Sequence, residues 1–453
     1  MADHEIHLAP THATLPQQRQ DVIVLGAGPA GLTAAGILAA SGRRVLVLDA
    51  ARHIGGTHRS HEIGPYTFDV GSIFYEDQAR LFDQFPGTRA LCPPAARVQR
   101  RIAPDGQVLH YPVEPRDILA WPPVRLWGAI ADMVWSRLTT RTDGTVDTAC
   151  RARLGRRIYE GSGLRSYITR FHHTPPETLD EEFFYRRMGF IEKKTRTAEM
   201  AKMLWRALRR KPVRRGPPAA LRVRPPSGFT TLFTEIRTQL EAQGVTFQLG
   251  QTVSAVTKEG EGFRVATAGQ SWQAGAVVSA MPLHLMHRAV FGTDAGLQSL
   301  DLLTLFVSAT GVAKPLGNVL FNFHGEGRWK RATLYSRIYP GLMQDRDFMS
   351  VEVTLAAGSP PDPDAAFADF CSHVRGLGLI TGDIALEGHD VVTDAYPLYL
   401  KGRADAAAPI LAQLTAFGIV SVGRQGRFEY LPTASGVIRR VAQELQAASV
   451  AAG

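Results

Sequence analysis

The chain has 453 residues, a length that favours two or three subdomains over one compact core. Its 45% hydrophobic and 21% charged content is typical of a globular protein, and no apolar run approaches the roughly 20 residues of a membrane-spanning helix. The first twenty residues lack the apolar core of a secretory signal, and Cys92, Cys150 and Cys371 fit no metal or redox spacing, so we expect a cytoplasmic protein with reduced thiols.

The net charge of +9 is concentrated between Arg186 and Arg224, where only Glu192 and Glu199 oppose the basic residues. Such a cluster attracts phosphate groups, either on a small ligand or at a membrane surface. A solvated helix face followed by a linker rich in proline and arginine is the alternative. Nucleic acid is not expected as a partner, because no recognition motif accompanies the charge.

The first predicted elements form a strand–turn–helix–strand unit. An apolar strand at 22–25 leads into a glycine-rich turn, an alanine-rich helix and a second apolar strand at 45–48. The turn has the GxGxxG pattern: Gly26 permits the tight turn, Gly28 lets the backbone approach a pyrophosphate, and Gly31 allows close packing of helix and strand. Asp49 ends the second strand, where its carboxylate can accept ribose hydroxyls. This unit therefore predicts a dinucleotide site.

The remaining elements return to the same sheet twice. Residues 91–221 show a helical, aromatic and basic pattern, and residues 300–390 are rich in predicted strands. Between them a helix and short strands resume the first pattern, and a strand and a final helix close the chain. We predict an α/β fold with a discontinuous dinucleotide domain (18–90, 222–299 and 391–450), a helical insertion and a β-rich substrate insertion.

Several motifs point to one family. A Gly55-Gly56 pair follows Asp49 in ARHIGGTHRS, and FDVGSIFYED, HYPVEP and VGRQGRFEY occur further along. With these motifs the chain resembles the flavoprotein superfamily of amine oxidases, protoporphyrinogen oxidase and UDP-galactopyranose mutase. The resemblance implies a Rossmann-like FAD-binding domain of the glutathione-reductase type, with FAD as the cofactor and the glycine pair close to its diphosphate.

The same resemblance implies roles for individual residues. Gly71 would pass close to the isoalloxazine ring, Val253 would meet the adenine side through its backbone, and Gly423 with Arg424 would meet the diphosphate and ribityl chain. The following helix would direct its N–H groups at the pyrimidine end of the ring. The full predicted cofactor set is Gly26, Gly28, Pro29, Ala30, Gly31, Asp49, Ala50, Gly55, Gly56, Thr57, Gly71, Ser72, Val253, Gly423, Arg424, Tyr430, Thr433 and Ser435.

Arg337, Arg170, Tyr396 and Tyr399 are the predicted substrate-side and catalytic residues, because they resemble groups that the mutases place near the flavin or the substrate. A surface arginine and a strand end packed on the core are the alternative interpretations. No metal site is predicted, since the adjacent histidines 172 and 173 point in different directions and lack further ligands nearby.

The chain also departs from the mutase pattern. Ser72 stands where the mutases usually carry a histidine, and His172 replaces a tryptophan. We therefore predict an FAD-dependent oxidoreductase that acts on a small-molecule, anionic substrate linked to a sugar or a lipid. The alternatives are a mutase-like, non-redox rearrangement of a nucleotide sugar and a flavin-bound electron-relay or scaffold protein.

Three tryptophans, Trp121, Trp127 and Trp135, lie among apolar residues and arginines in WPPVRLWGAIADMVWSRL. We expect such a stripe to form the core of a helical substrate domain. An amphipathic helix at a membrane interface is the alternative, and it would make the protein peripheral at the membrane. The sequence leaves the oligomeric state open.

Overall fold

The computed structural model describes residues 19–187, 220–342, 345–402, 405–431 and 433–448. The helices in these ranges are α1 (Pro29–Ala40), α2 (Arg80–Gln84), α3 (Thr88–Leu91), α4 (Pro115–Leu119), α5 (Pro123–Thr139), α6 (Val146–Gly161), α7 (Leu164–His172), α8 (Glu182–Arg187), α9 (Phe229–Ala242), α10 (Leu283–Phe291), α11 (Pro363–Gly376), α12 (Ala407–Phe417), α13 (Gly423–Gly426) and α14 (Ala434–Ala447).

The strands in the same ranges are β1 (Gln20–Leu25), β2 (Val45–Asp49), β3 (Ser60–Ile63), β4 (Tyr66–Asp69), β5 (Phe74–Glu76), β6 (Pro94–Ala95), β7 (Gln99–Ile102), β8 (Val108–His110), β9 (Leu221–Val223), β10 (Thr246–Leu249), β11 (Val253–Glu259), β12 (Gly262–Thr267), β13 (Ser271–Ser279), β14 (Ser299–Ala309), β15 (Val319–Asn322), β16 (Arg331–Leu334), β17 (Asp347–Leu355), β18 (Ile384–Pro397) and β19 (Ile419–Ser421).

The first sheet combines strands from the start, the middle and the end of the chain. Its order is β10-β2-β1-β13-β12-β11, with β19 pairing with β13. The pairs of β10 with β2, β2 with β1, β1 with β13 and β13 with β19 are parallel. The continuous apolar sequences of β1 and β2 match this arrangement, because a parallel strand is buried on both faces. The carboxyl ends of β1, β2, β13 and β19 therefore meet at one edge.

The second sheet has the order β18-β14-β17-β16-β15-β7-β8. It is antiparallel except where β15 pairs with β7. Because β7 and β8 lie within residues 91–221, the predicted helical insertion also contributes strands to the β-rich sheet. The sequence of β7, QRRI, does not resemble a buried strand, because two of its four residues are arginines. The structure nevertheless buries Arg101, whose guanidinium donates hydrogen bonds to Asp117 and the Ser162 carbonyl. The basic segment 186–224 lies largely outside the described residues.

Helix α5 packs against α6, but its tryptophans do not lie between them. Small residues, Ala129 and Ser136, are buried instead, while Trp127 and Trp135 are 68% and 67% exposed. The prediction that this stripe lies in a core is therefore wrong for both tryptophans, because the face of α5 that carries the small residues packs against α6. No helix within the described ranges has the length and apolar character to cross a membrane.

Candidate active site

The glycine turn after β1 brings the amino terminus of α1 to the carboxyl edge of the first sheet. Gly26 has a φ of 106°, and its N–H donates to the Leu48 carbonyl at 2.7 Å. A Cβ added to Gly31 would lie 1.8 Å from the Gly26 carbonyl oxygen, so only glycine lets the helix start this close to the strand. The first N–H groups of α1, beside Pro29 and Ala30, face this edge, where a helix start favours an anion.

Asp49 at the end of β2 fixes the turn. Its Oδ2 accepts a hydrogen bond from the Ala27 N–H at 2.5 Å, and its Oδ1 accepts one from the Ala51 N–H at 2.7 Å. Each carboxylate oxygen can accept more than one hydrogen bond, so the group still has acceptor capacity for a ribose hydroxyl. The neighbouring predicted residue, Ala50, is exposed.

The second glycine pair lies directly against the first turn. The Gly55 N–H donates to the Ala27 carbonyl at 2.8 Å, and a Cβ added to Gly56 would lie 3.1 Å from the Gly28 Cα. Both glycines of the pair have a positive φ, and Thr57 beside them is exposed. The two loops therefore form one wall of backbone, which we call the glycine wall. A larger side chain at either glycine of the pair would fill the space beside this wall.

The last segment of the chain completes this wall. Gly423, which has a φ of 73°, begins α13 against the first turn of α1, and a Cβ added to Gly426 would lie 2.6 Å from the Ser279 carbonyl oxygen. The Thr433 hydroxyl caps α14 by accepting from the Gly436 N–H at 3.1 Å, and the Ser435 hydroxyl accepts from the Arg80 N–H at 3.3 Å. Two ends of the chain thus meet at one site.

The loop between β4 and β5, which we call the open loop, borders open space. Gly71 has a φ of 81°, no atom lies within 4 Å of a Cβ added to it, and Ser72 is exposed. Val253 begins β11, which ends the strand order of the first sheet, and is half-buried. These positions have the backbone access that a ring and an adenine group need, and their roles stay predictions.

A buried ion pair holds this loop in place. Asp69 and Arg224 are both fully buried, and the Arg224 Nε donates to the Asp69 Oδ2 at 2.8 Å. The other guanidinium nitrogens donate to the carbonyls of Thr67, Pro225 and Pro226. Burial alone would lower the pKa of Arg224, but the carboxylate of Asp69 raises it, so the guanidinium stays charged.

Arg424 links the glycine wall to the second sheet. Its guanidinium donates to the Ala395 carbonyl, and its central carbon lies 5.0 Å from the ring centroid of Tyr396 and 5.7 Å from that of Tyr430. The Arg424 Nε is buried and has no hydrogen-bond partner among the described residues. A buried donor without a partner is costly, which suggests that a bound group supplies its acceptor.

Beside Arg424 lies a group of charged and polar side chains that we call the cationic cluster: Arg97, Lys330, Arg331, Glu352 and Tyr396. The Lys330 Nζ donates to the Tyr396 hydroxyl at 2.8 Å and lies 2.9 Å from the Glu352 Oε2. The Arg331 guanidinium donates to the Glu352 Oε1. The side chains of Lys330 and Glu352 are only 3% and 2% exposed and that of Arg331 is 19% exposed, so two cations flank one carboxylate largely out of water. Arg97 is exposed and lies at the border of the cluster.

The charges of the cluster shift the acidity of its members. Burial alone would raise the pKa of Glu352, but Arg331 and Lys330 lower it to about 2. Burial would likewise raise the pKa of Tyr396, yet Lys330 and Arg331 bring it below its usual value. Partial burial of its guanidinium lowers the pKa of Arg97, as does the positive charge of Arg331, although Tyr111 opposes them. The cluster therefore stabilises negative charge, including a phenolate at Tyr396.

The cluster also adjoins the open loop. The guanidinium carbon of Arg97 lies 5.7 Å from the ring centroid of Phe74, which begins the strand after Gly71 and Ser72. Arg424 in turn lies over the Tyr396 ring. Cations thus connect the glycine wall, the open loop and the second sheet.

The other predicted substrate residues make structural contacts. Arg170 donates to the carbonyls of Asn322, His324 and Glu326, and burial lowers its pKa to about 10. Arg337 donates to three further carbonyls, those of Ala313, Lys314 and Gly317. The Tyr399 hydroxyl donates to the Phe428 carbonyl at 3.0 Å. These three side chains hold loops together, whereas Tyr396 lies in the cationic cluster.

Sequence reasoning missed Arg97, Lys330, Arg331 and Glu352. A usable signal exists for Glu352, which is the one carboxylate inside the apolar run FMSVEVTLAA, where a lone charge in a buried strand needs a partner. Nothing in the sequence identifies that partner, because the register of β16 with β17 pairs Arg331 with Glu352.

Comparisons with known proteins support a dinucleotide site at the glycine turn. The family model for NAD(P)-binding Rossmann-like domains matches residues 24–85. An L-amino-acid oxidase of Echis ocellatus is 33% identical over 89 residues, 18% of this chain and 18% of that protein. A putrescine oxidase of Kocuria rosea is 46% identical over 63 residues, 14% of this chain and 13% of that protein. Each match spans less than a fifth of the relative's own length.

Solved structures match the whole fold at low identity. A reduced UDP-galactopyranose mutase has a TM-score of 0.77 and 17% identity, with 96% of this chain and 98% of that chain covered. A protein assigned as a protoporphyrinogen oxidase from Exiguobacterium sp. has a TM-score of 0.73 and 13% identity (95% and 99% covered). A cyclohexylamine oxidase from Brevibacterium oxydans has a TM-score of 0.61 and 15% identity (95% and 99% covered). These matches confirm the predicted resemblance and fold class.

Proposed function

Because the chain has the fold of the superfamily that contains UDP-galactopyranose mutase, protoporphyrinogen oxidase and the amine oxidases, we propose that it is an FAD-dependent oxidoreductase acting on a small anionic substrate. The observation that carries the substrate class is the cationic cluster, in which the buried Lys330 and the half-buried Arg331 share one carboxylate and the exposed Arg97 lies beside the open loop. A sugar- or lipid-linked anion suits such a site.

The residues of the glycine wall fit FAD. Backbone replaces side chains at Gly28, Gly56 and Gly423, as the close approach of a diphosphate requires. The amino terminus of α1 offers N–H groups to the same diphosphate, and Asp49 offers carboxylate oxygens to the ribose. The open space at Gly71 leaves room for a ring. When bound, FAD supplies hydride transfer through its isoalloxazine ring.

The cationic cluster would bind and orient the substrate. Arg97 and Arg331 present guanidinium groups that fit a carboxylate or a phosphate. The single negative charge of Glu352 offsets only part of the positive charge of Arg97, Arg331 and Lys330. Because the pKa of Tyr396 is lowered and Lys330 donates to its hydroxyl, the phenolic oxygen is suited to accept a proton from the substrate. Binding and proton transfer would then take place side by side.

A second candidate is a non-redox rearrangement of a nucleotide sugar. The excess of cations in the cluster also fits a diphosphate, and the fold similarity with a reduced UDP-galactopyranose mutase extends over nearly the whole chain. The departures at Ser72 and His172 favour the oxidoreductase. Both candidates need FAD and the same cluster, so an experiment must separate them by electron flow.

Anaerobic spectroscopy separates the two candidates. The FAD-loaded protein is first mixed with a panel of small amines, alcohols and unsaturated compounds that carry a carboxylate or a phosphate. Loss of the visible absorbance of the oxidised flavin would support the oxidoreductase. The chemically reduced protein is then mixed with UDP-sugars, and isomerised product with the flavin still reduced would support the rearrangement. Failure of the protein to bind FAD at all would contradict both.

A further inference from the structure

The outer face of α5 is an apolar stripe with no protein partner in the described residues. Among the large hydrophobic side chains exposed in the described ranges, six of ten lie between residues 119 and 138: Leu119, Val124, Trp127, Val134, Trp135 and Leu138. On α5 itself Val124, Trp127, Val134 and Leu138 follow one another at spacings of three, seven and four, and Trp135 lies beside them, which places all five within about 100° of one helix face. An exposed apolar patch of this kind marks an interaction surface.

The charges around the stripe are positive. Arg125 stands in the first turn of α5, where its guanidinium lies 3.9 Å from the centroid of the Trp121 ring and donates to the Gly161 carbonyl at the end of α6. The exposed Arg141 follows the end of the helix. The Arg157 guanidinium lies against Gly128, near the middle of the helix. Cations therefore accompany the apolar stripe along its length.

Acidic side chains are turned away from the stripe. Asp132 is the one carboxylate of α5, and its Oδ2 accepts a hydrogen bond from the Arg157 N–H at 2.8 Å, so it points at α6. Gly155 makes this close approach possible, because its φ of 73° kinks α6 and a Cβ there would lie 2.7 Å from the Met133 Cα. The outer face of α5 is therefore apolar, with cations at its borders and no carboxylate of α5 on it.

We propose that this face of α5 docks on an anionic lipid surface. Tryptophan rings prefer the boundary between lipid headgroups and acyl chains, leucine and valine side chains insert just below it, and arginines bind the lipid phosphates. The helix lies in the plane of the interface and does not span the bilayer. A second copy of this chain is less suited to the face, because two copies would bring like charges together.

Docking also has a geometric consequence for the candidate active site. Tyr111, whose ring stacks on Phe321 at 3.7 Å, is near Arg97 of the cationic cluster, and the chain runs from Tyr111 through α4 directly into α5. The docked helix would therefore hold this side of the molecule close to the lipid headgroups. The docking proposal itself does not depend on FAD binding or on the substrate.

Vesicle sedimentation tests the proposal with the full chain. The protein is mixed with vesicles of phosphatidylcholine alone or of phosphatidylcholine with phosphatidylglycerol, and the bound fraction and the tryptophan emission are measured. We expect binding and a blue shift with the anionic vesicles. Trp127→Ser with Trp135→Ser should weaken this binding by roughly tenfold or more. Arg125→Gln and Arg141→Gln should each weaken it roughly fivefold.

Phe291→Ser is the matched control, because Phe291 is also an exposed aromatic residue but lies on α10. This variant should bind as the parent does, and circular dichroism should show the same fold for every variant. Absence of binding to anionic vesicles would overturn the proposal, as would unchanged binding of the double tryptophan variant. A dimer in light scattering that the tryptophan substitutions dissociate, without any lipid binding, would assign the face to a second copy instead.

Discussion

Gly423 lies so close to Ala30 that a Cβ added to Gly423 would be 2.3 Å from the Ala30 Cβ. One residue begins the last part of the dinucleotide site, and the other belongs to the first turn of α1, near the opposite end of the chain. The contact leaves no room for a side chain at Gly423. The site therefore depends on two segments that fold together although they are far apart in sequence.

Replacing Gly423 with alanine should reduce FAD binding. The new methyl group would collide with Ala30 and move the two turns apart, and the positive φ would add a strain of about 1 kcal/mol. We expect the ratio of flavin to protein after purification to fall at least several-fold, as absorbance would measure. Gly244→Ala is the control, because Gly244 has a φ of 87° but no atom within 4 Å of the added Cβ. Equal flavin content in both variants would contradict the proposed wall.

Arg224→Met should strongly destabilise the protein. The substitution leaves the fully buried carboxylate of Asp69 without its cation, which costs about 3–5 kcal/mol in the free energy of unfolding. Urea denaturation would measure this loss, and adding Asp69→Asn should recover part of it. Arg237→Met is the control, since the pair of Arg237 with Glu241 lies on the surface, and removing it should change the free energy by less than about 0.5 kcal/mol. A comparable loss in both variants would argue against a special role for the buried pair.

His373 should make stability depend on pH. Its Nδ1 accepts the Trp329 indole N–H at 3.0 Å, its Nε2 lies 3.0 Å from the His324 Nδ1, and burial followed by the charges of His324 and Arg170 lowers its pKa from 6.5 to about 4. The unfolded chain therefore binds a proton that the folded protein excludes. The stabilising contribution of neutral His373 is fully present above pH 6.5 and is lost as the pH falls to about 4.

His373→Asn should flatten this dependence by up to about 1.4 kcal/mol per pH unit, the value for one proton. Urea unfolding between pH 7 and 4 would give the slope for each variant. The exposed His389 provides the control, and His389→Asn should leave the slope unchanged. If His373→Asn kept the parent slope, the histidine would not exclude a proton in the folded protein.

Arg97→Gln should impair catalysis more than Arg337→Gln. Arg97 belongs to the cationic cluster, and loss of a charged hydrogen bond to an anionic substrate should lower kcat/KM roughly ten- to hundredfold. Arg337 binds three backbone carbonyls, so its loss should lower the unfolding temperature and leave kcat/KM nearly unchanged. Steady-state kinetics and thermal unfolding measure both effects, and the reverse order would restore Arg337 as the substrate-binding residue.

Local patterns predicted the parts of the site that are local in sequence. Gly26, Gly28 and Gly31 lie in one turn, so their spacing carries their function. The role of an arginine cannot be predicted in this way, because it depends on where the guanidinium points. Arg337 and Arg170 point at backbone carbonyls, and this direction follows from loops that pack far from them in sequence.

The cationic cluster shows why four of its five members could not be predicted from the sequence. Its members come from different segments, and strand register brings them together: Arg331 faces Glu352 across β16 and β17, and Tyr396 lies on β18. Only the fold places these side chains in contact. The exposed tryptophans of α5 have a similar explanation, since an apolar stripe of helical period specifies a face but not what covers it.

The parallel pairing of β7 with β15 delays the formation of the second sheet during synthesis. The Val98 N–H donates to the Asn318 side chain 220 residues further along, so this edge of β7 has no partner until that later segment leaves the ribosome. At about 5–20 residues per second the delay is roughly 10–40 s. An unpaired strand edge is a template for aggregation, so the yield of folded protein should depend on a chaperone that shields the nascent chain through this interval.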